Sequence, residues 1–130
     1  MSKRLLASKV FVVLFLFSNA VPVYAAPSKI FLRLEVISSN NVEKKWTLKC
    51  GPTGGNHPYK NQACKFLLSS AGKKALFPQR AETCTQIFGG SATATITGRY
   101  QEAALKLDLD RRDGCGINSW DQLIKILRVK

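Results

Sequence analysis

The stretch CGPTGGNHPYKNQACKFL, Cys50 to Leu67, decides how this chain is read. Between its cysteines, GPTGGNHP packs three glycines and two prolines into eight residues, a composition that cannot continue a strand and makes an ordered loop. Cys64-Lys65-Phe66-Leu67-Leu68 then opens a helical stretch ending at Gly72, with Ala63, Phe66, Leu67 and Ser70 on one face. Cys50 closes the alternating segment KKWTLKC, in which Lys45, Thr47 and Lys49 face away from Trp46, Leu48 and Cys50.

Outward from this stretch, IFLRLEV at Ile30 to Val36 alternates Phe31, Arg33 and Glu35 with Ile30, Leu32, Leu34 and Val36, the pattern of a half-buried strand. The polar SSNN at Ser38 to Asn41 joins it to KKWTLKC as an antiparallel pair. On the other side, Lys73 to Thr83 is irregular and interrupted by Pro78. SATATIT turns at Gly98 into YQEAALKLDLD, where Leu105, Leu107 and Leu109 alternate with Lys106 and Asp108, so the two read as a hairpin. The last apolar segment, with Trp120, Leu123, Ile124, Ile126 and Leu127, fits either a short helix or a closing strand at ILRV. No repeat, low-complexity tract or interdomain linker interrupts the chain.

The 130 residues carry 20 Lys and Arg against 8 Asp and Glu. Lys3, Arg4 and Lys9 precede the apolar run VFVVLFLF at Val10 to Phe17, and small residues follow up to Ala25; this is the pattern of a secretory signal peptide over 1–25. Cleavage after Ala25 is favoured over cleavage after Ala20, leaving a domain of 26–130 with 17 basic and 8 acidic residues, a net charge of +9. The apolar run is about half of the ~20 residues a membrane span needs, so a secreted, extracellular protein without a membrane anchor is expected. The charge favours anionic neighbours only by screened attraction, with no specific nucleic-acid target, and reads first as a solvated basic surface.

Cys50, Cys64, Cys84 and Cys115 have no CxxC spacing, and the chain has one histidine, which argues against zinc. In an exported chain the even count reads as two disulfides, for which the sequence allows three connectivities. His57 is the sole imidazole, no GxSxG elbow is present, and Asp108, Asp110 and Asp113 are interrupted by Arg111 and Arg112 without the spacing of a calcium loop. No catalytic residue, metal, cofactor or enzyme activity is assigned.

The opening stretch resembles the signature of the Streptomyces subtilisin inhibitor family. Cys50, Pro52, Gly55, His57, Pro58, Ala63, Cys64 and Leu67 stand at the spacing of that signature, and only Lys65 departs from it. The resemblance continues through Cys84, SATATITG, Tyr100-Gln101, Cys115 and Asn118. It implies an α+β fold: a five-stranded antiparallel sheet with two helices packed on one face. It also implies two sequential disulfides, Cys50 with Cys64 and Cys84 with Cys115, and a homodimer formed through the sheet. By loop-closure entropy such bonds are worth roughly 3 to 4 kcal/mol each.

The resemblance further implies an inhibitor that presents a substrate-like loop to serine proteases, subtilisin-like ones above all. Its reactive bond is Gln86-Ile87, with Thr83, Cys84 and Thr85 pairing as a strand with the enzyme and Phe88 on the leaving-group side. Asp113 takes the place of an Asn that supports the loop in the family. Other departures are Gln86 for Met, Lys or Arg, Thr85 for a frequent Pro, Gly89-Gly90 for Asp-Pro, and one extra residue between Cys84 and Gly98. The competing reading is a non-inhibitory basic module on the same scaffold, attaching to an anionic surface or a protein partner, with TQIF only a surface turn.

Overall fold

The computed structural model describes residues 22, 29–79 and 81–128. Strands β1 (Ile30–Ile37), β2 (Glu43–Cys50), β3 (Gly54–Gly55), β4 (Thr93–Tyr100) and β5 (Ala103–Leu109) form one antiparallel sheet in the order β3-β2-β1-β4-β5. Helices α1 (Lys60–Leu67), α2 (Ser70–Leu76) and α3 (Gly114–Leu127) complete the chain. The α+β fold with its five-stranded antiparallel sheet is the expected one, and the disulfides join Cys50 to Cys64 and Cys84 to Cys115. The expected signal peptide at 1–25 lies outside the described residues, apart from Pro22. Among the described residues no helix is long and apolar enough to cross a membrane.

Strand β1 sets the architecture because it is paired along both edges: Leu34 lies opposite Trp46 on one side and Ile96 on the other. Its period-two pattern sends Ile30, Leu32, Leu34 and Val36 into the core with Leu48, Ile96 and Leu109, where Leu67, Leu76, Trp120, Leu123, Ile126 and Leu127 of the helices cover them. Each such aliphatic side chain withdraws enough apolar surface to contribute about 1.5–3 kcal/mol. Tyr100 belongs to this layer and donates its hydroxyl to the Leu67 carbonyl at 2.9 Å, satisfying the end of α1.

Two local outcomes differ from the pattern reading, and a third decides between the alternatives it left open. The loop after Cys50 contributes the edge strand β3, because Gly55 at φ +93° brings its bare Cα against the Thr47 carbonyl, where a Cβ would stand 2.7 Å from the carbonyl carbon. The helical stretch expected to end at Gly72 is instead two helices, which raises the helix count to three. Ser69 breaks it by capping α2, its Oγ accepting from Gly72 N–H at 3.2 Å, and Gly72 fits inside α2 because it touches the α1 backbone directly. The last apolar segment is a helix of 14 residues, with Trp120, Leu123, Ile126 and Leu127 on its buried face.

His57 closes the structure from below. Its ring is 2% exposed, packs edge-on against Trp46 at 5.3 Å, donates Nε2–H to the Ile126 carbonyl at 2.8 Å and accepts the Tyr59 N–H at Nδ1 at 3.2 Å. Both nitrogens are therefore committed in the neutral form. Burial holds its pKa below the ordinary value of 6.5, the Ile126 bond opposes this, and the Arg128 charge adds to the lowering.

Protonation is thus easier in the unfolded chain, so stability contributed by neutral His57 is complete above about pH 6.5 and is lost as pH falls below it, levelling off under the depressed native pKa. Chemical denaturation between pH 7.5 and 5 should show a declining unfolding free energy, and His57→Gln should flatten that decline while lowering stability throughout. An undiminished slope in the variant would remove His57 as its source.

Candidate functional site

The residues expected to form a reactive loop lie in the segment between α2 and β4. Thr83, Thr85 and Gln86 are exposed, Cys84 is half-buried, and Ile87 and Phe88 are 58% and 71% exposed, the largest apolar exposure among the described residues. Two adjacent large apolar side chains left in water at a chain protrusion mark a surface that gains by being covered.

The loop is exposed but not loose, because both of its ends are fastened to the same support. The Cys84–Cys115 bond, with 5.3 Å between Cα atoms, ties its start to the first turn of α3. The Thr85 carbonyl accepts the Gly114 N–H at 2.9 Å and also the Ile87 N–H at 2.9 Å, a three-residue γ-turn that puts Gln86 at its tip. At the far end the Gly89 N–H donates to the Arg111 carbonyl at 2.7 Å. Four residues, Thr85 to Phe88, therefore arch between two anchor points.

Glycines make this close approach possible. A Cβ on Gly114 would stand 3.3 Å from Thr85 Cβ and closer still to its hydroxyl, and one on Gly89 would stand 2.7 Å from the Ile117 side chain. Among the described residues Asp113 makes no hydrogen bond to the loop, although its carboxylate lies beside the Cys84–Cys115 bond. As the N-cap of α3 its Oδ1 accepts the Gly116 N–H at 2.8 Å, so it acts one step back, fixing the helix end whose first N–H holds Thr85. Arg111, absent from the residues expected to matter, supplies the second anchor through its carbonyl, and its Nε is buried without a hydrogen-bond partner among the described residues. The signal for the Gly114 contact is the run RRDGCG, where glycines flank Cys115, a cysteine already assigned to the loop, and that for the Gly89 contact is the pair Gly89-Gly90.

Chemistry at this loop comes from the backbone. Cys84, Asp113 and Cys115 lie with ligand atoms within 4.8 Å of one another, the one such grouping among the described residues, yet the sulfurs are bonded to each other and provide no thiolate. His57 lies elsewhere, with both ring nitrogens engaged by backbone groups. What the loop offers is a peptide bond, Gln86 to Ile87, displayed at the tip of a pinned arch.

The family model described as subtilisin inhibitor-like matches residues 26–108. No curated protein matches the chain. The family match ends before Asp113, Cys115 and α3, so the loop's support comes from sequence beyond it.

The two disulfides differ in access: Cys50 and Cys64 are buried in the core, whereas Cys84 and Cys115 are half-buried. Attack by an external thiolate requires approach to a sulfur. Graded reduction with quenching by an alkylating agent should therefore label Cys84 and Cys115 first, leaving Cys50–Cys64 intact in a protein that still unfolds cooperatively. Labelling of Cys50 at the same rate would contradict this order.

Proposed function

Because the chain belongs to the subtilisin inhibitor-like family, we propose that it inhibits serine proteases by presenting Gln86-Ile87 as a substrate that is cut and released slowly. The observation that carries this reading is the double fastening of an exposed arch to one rigid support. Thr83, Cys84 and Thr85 bind alongside the protease as an added strand, and Gln86 fills the primary pocket. The ordering entropy of these residues is already lost in the free protein, so association loses less. After attack on the Gln86 carbonyl carbon, the new amine of Ile87 remains tethered through Gly89 to Arg111 and cannot diffuse away, which favours resynthesis of the bond over hydrolysis.

Gln86 also sets specificity. Its neutral amide does not satisfy the buried carboxylate of trypsin-like pockets and is too polar for a deep aromatic slot, whereas the broad cleft of subtilisin-like enzymes accommodates it. In this reading the protein acts outside the cell as the domain 26–130, after loss of its leader.

Inhibition assays against subtilisin and trypsin test the proposal, with thermal unfolding as the folding control. The wild type should inhibit subtilisin and spare trypsin. Gln86→Lys should create trypsin inhibition, and Gln86→Gly should weaken subtilisin inhibition by roughly tenfold or more through loss of the central pocket contact. Gly114→Ala should weaken subtilisin inhibition by lifting Thr85 from its anchor, and should speed cleavage at Gln86-Ile87. If the folded wild type and Gln86→Lys leave both proteases fully active, the inhibitor reading fails.

A further inference from the structure

The side chain of Arg111 does something its carbonyl does not: it carries a charge beneath the leaving-group side of the loop. A Cβ on Gly89 would stand 3.3 Å from Arg111 Cβ, and one on Gly90 would stand 3.9 Å from its Nη1. Neither residue has a side chain, so none from this strand covers the guanidinium. Gly90, at φ +120°, adopts a backbone conformation that disfavours any other residue, which keeps that space open. Ile117 of α3 lies under the same strand, its Cγ1 2.7 Å from the Gly89 Cβ position, so the Arg111 stem leaves the backbone beside packed apolar surface.

This guanidinium has no counter-ion. The neighbouring acids are engaged elsewhere: Asp110 accepts the Arg112 N–H at 3.1 Å and stands 3.8 Å from Arg112 Nε, and Asp113 caps α3. Every Asp and Glu of the chain falls within the described residues, and none lies within 4.0 Å of the Arg111 side chain. Nε is also buried without a hydrogen-bond partner among the described residues. A half-buried charge left unpaired is costly, and part of that cost is recovered when an acceptor arrives. With its Nε enclosed, the group has little rotamer freedom left to lose on pairing.

We propose that Arg111 is a specificity-determining residue, which selects proteases carrying a carboxylate on the leaving-group rim of the cleft; this rests on the inhibitory reading of the loop. Gly89 and Gly90 are the third and fourth residues after the bond proposed as scissile, so the cation stands beyond the contacts of Ile87 and Phe88. Its planar fork suits bidentate pairing with a carboxylate, and a neutral or basic rim would leave it covered and unpaired. Arg111 and Arg112 are balanced by Asp110 and Asp113, so the local field at a distance is weak. Arg111 therefore acts at contact, through the lifetime of the complex rather than the rate of encounter.

Inhibition of subtilisin variants bearing Gln, Glu or Lys at one position of the leaving-group rim facing Gly90 tests this, with thermal unfolding as the control for every inhibitor variant. The wild type should bind the Glu enzyme at least about tenfold more tightly than the Gln enzyme, through slower dissociation, with association changed less than about twofold. The Lys enzyme should be bound more weakly than either. Arg111→Gln should abolish this ranking, and Arg111→Lys, which restores the charge without the fork, should recover part of it. Arg112→Gln removes equal charge from a group already beside Asp110 and should preserve the ranking. A ranking that survives in Arg111→Gln, that is lost equally in Arg112→Gln, or that is absent from a wild type inhibiting all three enzymes overturns the proposal and leaves the inhibitor reading standing. A wild type that inhibits none of the three overturns both.

Discussion

Docking of α3 onto the sheet is the constraint on which both ends of the molecule depend. A helix of 14 residues is marginal by itself in water, so it exists here because Trp120, Leu123, Ile126 and Leu127 bury in the core shared by the sheet and the other two helices. Once docked, it uses the backbone groups that every helix leaves over. At its start the Gly114 N–H holds the Thr85 carbonyl, and near its end the Ile126 carbonyl takes the His57 proton. One rigid rod about 21 Å long thus fixes the exposed loop at one extremity and the glycine-rich loop at the other. Loss of packing along the rod would release both, which couples loop rigidity to core stability without any contact between them.

The disulfides follow the same division. Cys50–Cys64 joins β2 to α1 inside the core, where surrounding aliphatics already fix the geometry, and it restricts the unfolded chain more than it shapes the native one. Cys84–Cys115 closes a longer segment, with a sequence separation of 31 against 14, over a region with few apolar contacts. Packing does little there, so covalent and hydrogen-bonded anchors carry the order. Thr85 illustrates the compensation: it lacks the fixed φ of proline, yet its carbonyl accepts two N–H groups and its side chain rests on Gly114.

Strand β1 was legible in the sequence because one face of the sheet is buried and the other wet, which writes a period of two into IFLRLEV. The hairpin of β4 and β5 was legible for the same reason, but its turn falls at Gln101-Glu102 and not at Gly98, which stays inside β4 at φ +142° because its bare Cα lies against the Phe31 carbonyl. Features governed by contact between distant backbones were not. β3 consists of two glycines whose pairing with Leu48 and Lys49 leaves no hydrophobic trace, and the interruption between α1 and α2 rests on Gly72 meeting α1. For α3, Ile126 and Leu127 are adjacent and both buried, so the short window around them suits a strand as well as a helix. At the loop, the cysteine and the pair proposed as scissile stood out by resemblance, whereas Arg111 acts through its carbonyl, which any residue would carry.

The charge distribution separates what the two ends of the sheet can meet. Around Gln86 the nearby formal charges are mixed: Arg111 and Arg112 stand beside Asp110 and Asp113, and Asp110 lies 3.8 Å from Arg112. An exposed pair of that kind contributes little stability but cancels the local field, so approach to the loop is governed by shape and by Ile87 and Phe88 rather than by steering. At the Phe31 end Arg33, Lys49, Arg99 and Lys106 have no carboxylate within 4.0 Å among the described residues, and their mutual repulsion is tolerated because they project into water from different strands. Because about seven strand residues lie between the ends, a distance of more than 20 Å and beyond two Debye lengths at physiological salt, the field of the basic end is screened before it reaches the loop.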